Sequence, residues 1–210
     1  MTYAGFNALR LVDPAPARPF DTSRSGLSLG EGAGILVLED WDIALSRGAR
    51  PMAEFLDYSA SCDAHHMTAP HPDGRGAASA MAGALSRAGL EPREVEHINA
   101  HGTGTPLNDA TETKAILAVF GEDGAARIPL TASKSLFGHL LGGSGGVEAV
   151  ILVLTLMHQM LPPTLGWTAP DPGVRIDVVS TPRPAAVEVG LSNSFGFGGT
   201  NCTLVFRRAA

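Results

Sequence analysis

The apolar positions of the chain fall into short runs that alternate with longer stretches of helical spacing. Runs at 52–60, 95–100 and 128–132 have the length and apolar content of strands. In 76–88 and 109–120, apolar residues recur every three to four positions, which predicts amphipathic helices. This alternation favours an α/β protein in which helices cover a sheet.

Three other segments have distinctive patterns. Residues 35–39 carry an apolar run, as expected for a strand that is covered on both faces. Residues 138–160 predict one long helix whose body, 147–157, is apolar nearly all round, so we expect it to be buried on all sides. Residues 186–192 and 200–206 predict an antiparallel hairpin, because a glycine-rich turn joins them.

The beginning of the chain has the pattern of the end of a domain. Residues 1–10 predict the tail of a helix, and Asp40 or Asp42 can cap a short helix that ends near Gly48. An unpaired apolar strand at 35–38 would be an aggregation hazard, so we expect a partner to pair with it.

Composition and charge narrow the classes of function. Hydrophobic residues make up 44% and charged residues 17% of the 210 positions, which argues against disorder. The formal net charge is −6 and no basic patch appears, which argues against nucleic acid as a partner. The run 147–157 contains Glu148 and is too short to span a bilayer, and residues 1–10 lack a signal-peptide pattern. We therefore predict a cytoplasmic protein with no membrane partner.

The two cysteines give no support for a metal site. Cys62 and Cys202 lie far apart, and neither belongs to a Cys-x-x-Cys pair. We therefore predict neither a zinc site nor a disulfide framework.

Three glycine-containing polar segments carry the candidate chemistry. Residues 99–106, Asn-Ala-His-Gly-Thr-Gly-Thr-Pro, place His101 at the end of a predicted strand. Residues 133–142, Ser-Lys-Ser-Leu-Phe-Gly-His-Leu-Leu-Gly, hold a lysine and a histidine five positions apart. Residues 193–201, Asn-Ser-Phe-Gly-Phe-Gly-Gly-Thr-Asn, contain glycines that let the backbone approach a ligand and aim N–H groups at it.

Each segment taken alone has a plainer interpretation. His101 could be a satisfied loop residue, Lys134 a solvated charge, and 193–201 a flexible hairpin turn. A dinucleotide site is not supported, since no Gly-x-Gly-x-x-Gly stands between a strand and a helix.

Together and in this order, the three segments resemble the β-ketoacyl-acyl-carrier-protein synthases. The resemblance is nearest to the elongating synthases of bacterial fatty acid synthesis and their polyketide relatives, and it runs over essentially the whole chain. Residues 19–21, 29–34 and 63–68 are also similar to pieces of this family.

The resemblance implies a thiolase-like fold, in which two similar α/β halves form a five-layered α-β-α-β-α core with mixed sheets. This chain would be the C-terminal half. Residues 1–73 would be the end of the first half, with two strands, a short helix and a pocket loop, and residues 74–210 would be the second half.

The resemblance also implies roles for the buried polar residues. Active members of the family condense an acyl group with malonyl carrier protein and release carbon dioxide. His101 and His139 match the two histidines that act on the malonyl thioester, and Lys134 matches a lysine that sits by the second histidine and orients it. Glu148 and Asn193 match residues that support the site.

Other matched residues would bind substrate or form a gate. Thr103 and Thr105 match threonines that bind the phosphopantetheine arm of acyl carrier protein, and His66 matches a histidine near the pocket mouth. The oxyanion-hole and gate residues would be Phe197, Phe195 and Gly198. No tightly bound cofactor is implied, because the substrates are carried on acyl carrier protein.

One family feature is missing. The nucleophilic cysteine of the family lies upstream of the first segment, and neither Cys62 nor Cys202 matches it. We therefore expect a split enzyme, active in a heterodimer with an N-terminal half that carries this cysteine. The alternatives are a non-catalytic partner like the chain-length factors, a truncated fragment, and a malonyl decarboxylase that uses only the two histidines. The length of the acyl chain and the choice between fatty acid and polyketide synthesis remain open.

Overall fold

The computed structural model describes residues 2–209. The N-terminal part contains two short helices, α1 (Thr2–Ala8) and α2 (Trp41–Ser46). Asp40 caps α2, because its side chain accepts hydrogen bonds from the amides of Asp42 and Ile43. Both helices match the sequence prediction.

Strands and helices then alternate as predicted. The elements in chain order are β1 (Ala53–Cys62), α3 (Arg75–Arg87), β2 (His97–Asn99), α4 (Pro106–Arg127) and β3 (Pro129–Thr131). Helix α4 extends beyond the predicted segment at both ends and is broken at Gly121, whose φ of +69° favours glycine.

The C-terminal part contains two further helices and five strands. They are α5 (Lys134–Phe137), α6 (Ser144–His158), β4 (Met160–Leu161), β5 (Asp177–Val178), β6 (Arg183–Pro184), β7 (Val189–Gly196) and β8 (Thr200–Arg208). The predicted helix 138–160 therefore begins only at residue 144, after a 3-10 turn at 141–143.

Six strands form one mixed sheet in the order β1-β8-β7-β2-β3-β5. Strands β7, β2, β3 and β5 are parallel, whereas β8 runs antiparallel to both of its neighbours. Helices α3 and α4 pack on one face of the sheet and α6 packs on the other. Each face has its own apolar core. These three layers are one half of the predicted five-layered fold, and the predicted hairpin is β7–β8.

Strand β1 lies in this sheet. It pairs with β8 from Ala53 opposite Arg208 to Cys62 opposite Thr200. The boundary predicted at 73/74 therefore separates β1 from the sheet in which the structure places it.

The strand predicted at 35–39 does not form within the described residues. Residues 31–40 have no regular secondary structure, and Ile35 and Val37 are 85% and 90% exposed. A strand needs a neighbour for its backbone groups, and nothing in the described part of this chain occupies that position.

Helix α6 is not buried on all sides, contrary to the prediction. Leu152 and Leu156 are fully buried, but Leu154 and Met157 on the opposite side are 39% and 41% exposed. By length and composition alone, Leu141–His158 could also cross a membrane. Here this segment packs against β7 and β8 through one side, as core helices do.

Candidate active site

The three sequence segments meet at one cavity of about 620 Å³. Its wall is mostly apolar, and convergent polar groups stand at one side, which is the usual composition of a small-molecule site. The residues of the predicted site that line it are His101, Thr103, Thr105, His139, Phe195 and Phe197.

His101 follows β2 directly and is held by its backbone. The amides of His101 and Gly102 each donate a 2.9 Å hydrogen bond to one oxygen of Glu112, which lies on α4. The amide group of Asn193 donates to the same carboxylate, and Thr203 in turn donates to Asn193. Strand, helix and hairpin thus fix the position of one histidine.

Lys134 is 2% exposed and all three of its N–H donors find an acceptor. Its Nζ contacts His101 Nδ1 at 3.1 Å, the His101 carbonyl at 2.6 Å and Glu148 Oε1 at 2.5 Å. The lysine was expected beside the second histidine; its hydrogen bonds go instead to the first, His101, although its charge also acts on His139. Glu148, the predicted support residue, neutralises its charge in a buried ion pair.

His139 lies between α5 and α6. The amide of Leu141 donates to its Nδ1 at 3.1 Å. Ser144 Oγ lies 3.0 Å from the same nitrogen and also accepts a hydrogen bond from the Leu140 amide. Because Nδ1 already accepts from Leu141 and so carries no proton, the Ser144 hydroxyl donates to the ring. The backbone amide of His139 donates to the Ser28 carbonyl at 2.7 Å.

These contacts fix the tautomer of both rings. In each histidine Nδ1 accepts a hydrogen bond, so the proton of the neutral ring is on Nε2. Burial and the nearby Lys134 ammonium lower the pKa of His139 to about 4. Burial, Lys134 and His139 lower the pKa of His101 well below its usual value. At neutral pH the two rings, whose centroids lie 5.5 Å apart, are therefore uncharged N–H donors.

The threonine pair lies on a turn built around Asp109. The hydroxyl oxygens of Thr103 and Thr105 lie 2.8 Å apart and share a hydrogen bond. Asp109 accepts hydrogen bonds from the amides of Thr103 and Gly104. Burial raises the pKa of Asp109, and hydrogen bonds from the Phe20 amide, the Asn108 side chain and the Gly104 amide, together with the charge of Arg24, oppose the effect.

The predicted gate is the turn between β7 and β8. Gly198 and Gly199 have φ of +85° and +77°, which explains glycine there. The Gly198 amide donates to the Met67 carbonyl at 2.7 Å, so in this structure it faces the 63–68 loop. Phe197 is 48% exposed and stacks on Phe6 at 5.7 Å.

His66 stands beside this gate but outside the cavity wall. Its Nδ1 accepts hydrogen bonds from the amides of Thr68 and Ala69, so the ring caps its own turn. Thr68 and Pro70 of the same loop line the cavity instead. The predicted contact of His66 with substrate has no geometric support here.

Several residues of the site were missed by the sequence analysis. They are Phe6, Asp63, Asp109, Glu112, Ser144 and Asn201. The acids at positions 109 and 112 are three apart on one helix, and that spacing just after the His101 segment was a usable signal. Asn201 donates a hydrogen bond to Asp63. No spacing in the sequence could indicate this pair, because 138 positions separate the two residues.

Among the described residues, no cysteine lines the cavity. Cys62 is exposed and its Sγ contacts the Gly198 carbonyl, whereas Cys202 lies on β8, where burial raises the pKa of its thiol. No group of three metal-ligating side chains occurs between residues 2 and 209.

This chain is similar to known β-ketoacyl synthases. Residues 52–168 match the family described as "Beta-ketoacyl synthase, C-terminal domain". The chain is 50% identical over 99% of its length to 3-oxoacyl-[acyl-carrier-protein] synthase 2 of Synechocystis sp., and 44% identical over 99% to that of Vibrio harveyi. It covers 51% and 52% of those proteins, so it spans about half the length of the curated relatives it matches.

Solved structures show the same fold over the whole chain. The ishigamide ketosynthase/chain length factor superposes with a TM-score of 0.94 at 41% identity, and this chain covers 51% of it. A β-ketoacyl synthase from Burkholderia phymatum gives 0.91 at 35% identity with 52% covered. The thiolase-like fold is therefore confirmed, and the chain belongs to the β-ketoacyl synthase family, whose C-terminal domain it carries.

Proposed function

We propose that this chain is the C-terminal subunit of a split β-ketoacyl-acyl-carrier-protein synthase. It would supply His101, His139 and Lys134 for decarboxylative condensation in fatty acid or polyketide synthesis. The observation that carries the proposal is the pair of neutral imidazoles that present free Nε2–H groups at the wall of an apolar cavity.

Two such donors fit the chemistry of a malonyl thioester. When the bond from its α-carbon to the carboxylate breaks, carbon dioxide leaves and the electron pair forms an enolate, whose charge gathers on the thioester oxygen. Removing one preorganised donor from such an oxyanion costs about 3–4 kcal/mol. The enolate carbon then attacks the acyl thioester on a cysteine, and the carbon–sulfur bond breaks to return the thiolate.

Lys134 would act through His101. Because its ammonium donates to His101 Nδ1, it keeps that nitrogen unprotonated and leaves the ring proton on Nε2. Glu148 and the His101 carbonyl take the other two donors, so the lysine has no free proton for the substrate.

Substrate delivery would use acyl carrier protein. Thr103 and Thr105 line the cavity and offer hydroxyls to the amides of a phosphopantetheine arm. One similar solved structure is described as an acyl-carrier protein in complex with its ketosynthase, and it superposes with a TM-score of 0.95 at 33% identity. No tightly bound cofactor is part of the proposal.

The cysteine would come from a second polypeptide in a heterodimer. The cavity wall lacks a cysteine within residues 2–209, and the chain spans half of its relatives. A non-catalytic role like that of a chain length factor is the second candidate, since two similar structures contain such a factor. The presence of His101, Lys134 and His139, with the Nδ1 of each histidine hydrogen-bonded and each Nε2–H free, favours the enzyme.

Reconstitution tests the proposal. The half of the Synechocystis sp. synthase that this chain does not cover serves as a surrogate N-terminal half. Alone, each half should neither condense acyl and malonyl carrier proteins nor form a β-ketoacyl product; mixed, they should do so. Condensation by the 210-residue chain alone, or inactivity of a stable mixed complex, would refute the split enzyme.

A further inference from the structure

Asn108 lines the cavity three positions after Thr105, in the first turn of α4. Its Nδ2 donates a 3.0 Å hydrogen bond to Oδ1 of Asp109, which is 1% exposed. Asp109 also accepts hydrogen bonds from the backbone amides of Phe20 and Gly104, which can only donate. Because this carboxylate acts as an acceptor throughout, it fixes the orientation of the Asn108 amide, whose NH2 end faces Asp109.

The other end of this amide is an acceptor that the protein does not use. In the part of the chain from residue 2 to residue 209, the contact with Asp109 is the one hydrogen bond that the Asn108 side chain makes. Its Oδ1 therefore keeps both lone pairs for a ligand. Since most of the cavity wall is apolar, a ligand that fills the cavity meets few other acceptors.

The hydroxyl of Thr105 is a second acceptor. Thr103 Oγ1 accepts a hydrogen bond from the Thr105 amide and donates to Asp109 Oδ1 at 3.4 Å. The 2.8 Å hydrogen bond between the two threonine hydroxyls is therefore donated by Thr105. Thr105 Oγ1 has used its proton in this contact, so it can only accept a hydrogen bond from a ligand.

The two acceptors lie at different depths in the cavity. His101 and Thr105 are 5% and 8% exposed, whereas Asn108 is half-buried and its neighbour Leu107 is 63% exposed. Asn108 is therefore nearer to the mouth, and Thr105 is nearer to the histidines. Residues three positions apart at the start of a helix have Cβ atoms about 5–6 Å apart. The pair of acceptors thus fits an extended ligand that carries two N–H donors along its length.

We infer that Asn108 is a specificity-determining residue, which accepts a hydrogen bond from the outer amide of the phosphopantetheine arm, while Thr105 accepts from the inner amide. The inner amide is the one next to the thioester, and a β-alanine unit separates it from the outer one. The inference rests on the proposed function, because it requires that the malonyl thioester reaches His101 through this cavity. It adds that the cavity distinguishes the full arm from a short thioester that has the inner amide alone.

Two malonyl thioesters test this assignment. Malonyl-pantetheine contains both amides, and malonyl-N-acetylcysteamine ends after the inner one. The measurement is carbon dioxide release by the complex of this chain with the surrogate N-terminal half whose active-site cysteine is replaced by alanine. Asn108→Ala should lower kcat/KM for malonyl-pantetheine about fivefold, chiefly through KM, because one hydrogen bond to the bound arm is lost. For malonyl-N-acetylcysteamine, kcat/KM should stay within about twofold of wild type.

The short thioester is the matched control, since its turnover shows that the variant complex is folded and active. Thr105→Val removes the inner acceptor and should lower kcat/KM for both thioesters. Equal losses of kcat/KM for the two thioesters in Asn108→Ala, or no loss for either, would overturn the role of Asn108 and leave the proposed function intact. A wild-type complex that releases carbon dioxide from neither thioester would instead refute the proposed function.

Discussion

The two sides of α6 differ in whether their side chains are covered by this chain. On the inner side, Glu148 and Lys134 are buried, and Lys134 uses every one of its donors. On the outer side, Leu154 exposes apolar surface. The neighbouring residues 31–39 expose Ile35 and Val37 and make no backbone hydrogen bond in the described part of the chain. The polar groups on the inner side find their hydrogen-bond partners within this chain. The outer side instead exposes apolar side chains of the kind that usually form a core. The inner side of α6 thus positions the candidate catalytic residues, and its outer side is available for assembly.

The largest effect that distinguishes the two sides should follow loss of the buried ion pair. Lys134→Met leaves Glu148 without its counter-charge, so we expect the free energy of unfolding to fall by about 3–5 kcal/mol in chemical denaturation at pH 7. The double variant Lys134→Met/Glu148→Leu should recover most of this stability. A single variant within about 1 kcal/mol of wild type would contradict the buried pair.

Two leucines of α6 compare the sides directly. Leu156→Ala empties a fully buried position, and its cost should be about 2–5 kcal/mol of unfolding free energy. Leu154→Ala removes an exposed side chain and should stay within about 0.5 kcal/mol of wild type in the free chain. Equal losses for the two variants would mean that the outer side is already covered in the free chain.

The positioning of His101 gives a smaller effect. Glu112→Gln leaves one amide acceptor for two backbone donors, so we expect a loss of about 1–3 kcal/mol in stability. Condensation by the reconstituted complex should fall as well, because His101 loses its anchor. Glu122→Gln on the exposed part of α4 is the control, and matching losses in both variants would exclude a specific role for Glu112.

The smallest effect at neutral pH is a pH dependence from His97, because burial lowers the pKa of this fully buried ring to about 3. The unfolded chain takes up a proton on His97 near pH 6.5, whereas the folded chain does so only near pH 3. The free energy of unfolding is therefore fully retained above pH 6.5 and declines as the pH falls below it. Wild type should lose about 1 kcal/mol per pH unit relative to His97→Gln between pH 6 and pH 4. Parallel pH profiles would disprove this burial effect.

Much of the fold could be predicted because its patterns are local. The periodicity of α3, the Asp40 cap of α2 and the glycine turn between β7 and β8 depend on residues close in sequence. The missing strand at 35–39 and the exposed side of α6 could not be predicted, because apolar composition does not reveal whether the covering surface belongs to the same chain.

The site shows the same division. His101 and His139 were found from their segments, and the structure brings their rings to 5.5 Å. The hydrogen-bond partner of Lys134 was wrong: the resemblance placed this lysine beside His139, whereas its Nζ bonds His101, and a sequence match does not determine which ring a long side chain reaches. The spacing of the acids at 109 and 112 could have indicated Glu112, but its hydrogen bonds to the amides of His101 and Gly102 are seen only in the structure. Segment identity is local, whereas hydrogen-bond connectivity depends on the tertiary structure.

The most direct test of the central claim is malonyl decarboxylation measured without the nucleophile. In a complex with the surrogate N-terminal half whose active-site cysteine is replaced by alanine, acyl loading stops, but the two donors of this chain remain. Carbon dioxide release from malonyl carrier protein should persist. His101→Ala or His139→Ala in this chain should lower it by about a hundred- to a thousandfold. The control His158→Ala changes an exposed histidine outside the cavity and should have no effect. Release that is unchanged by loss of His101 and His139 would contradict the account.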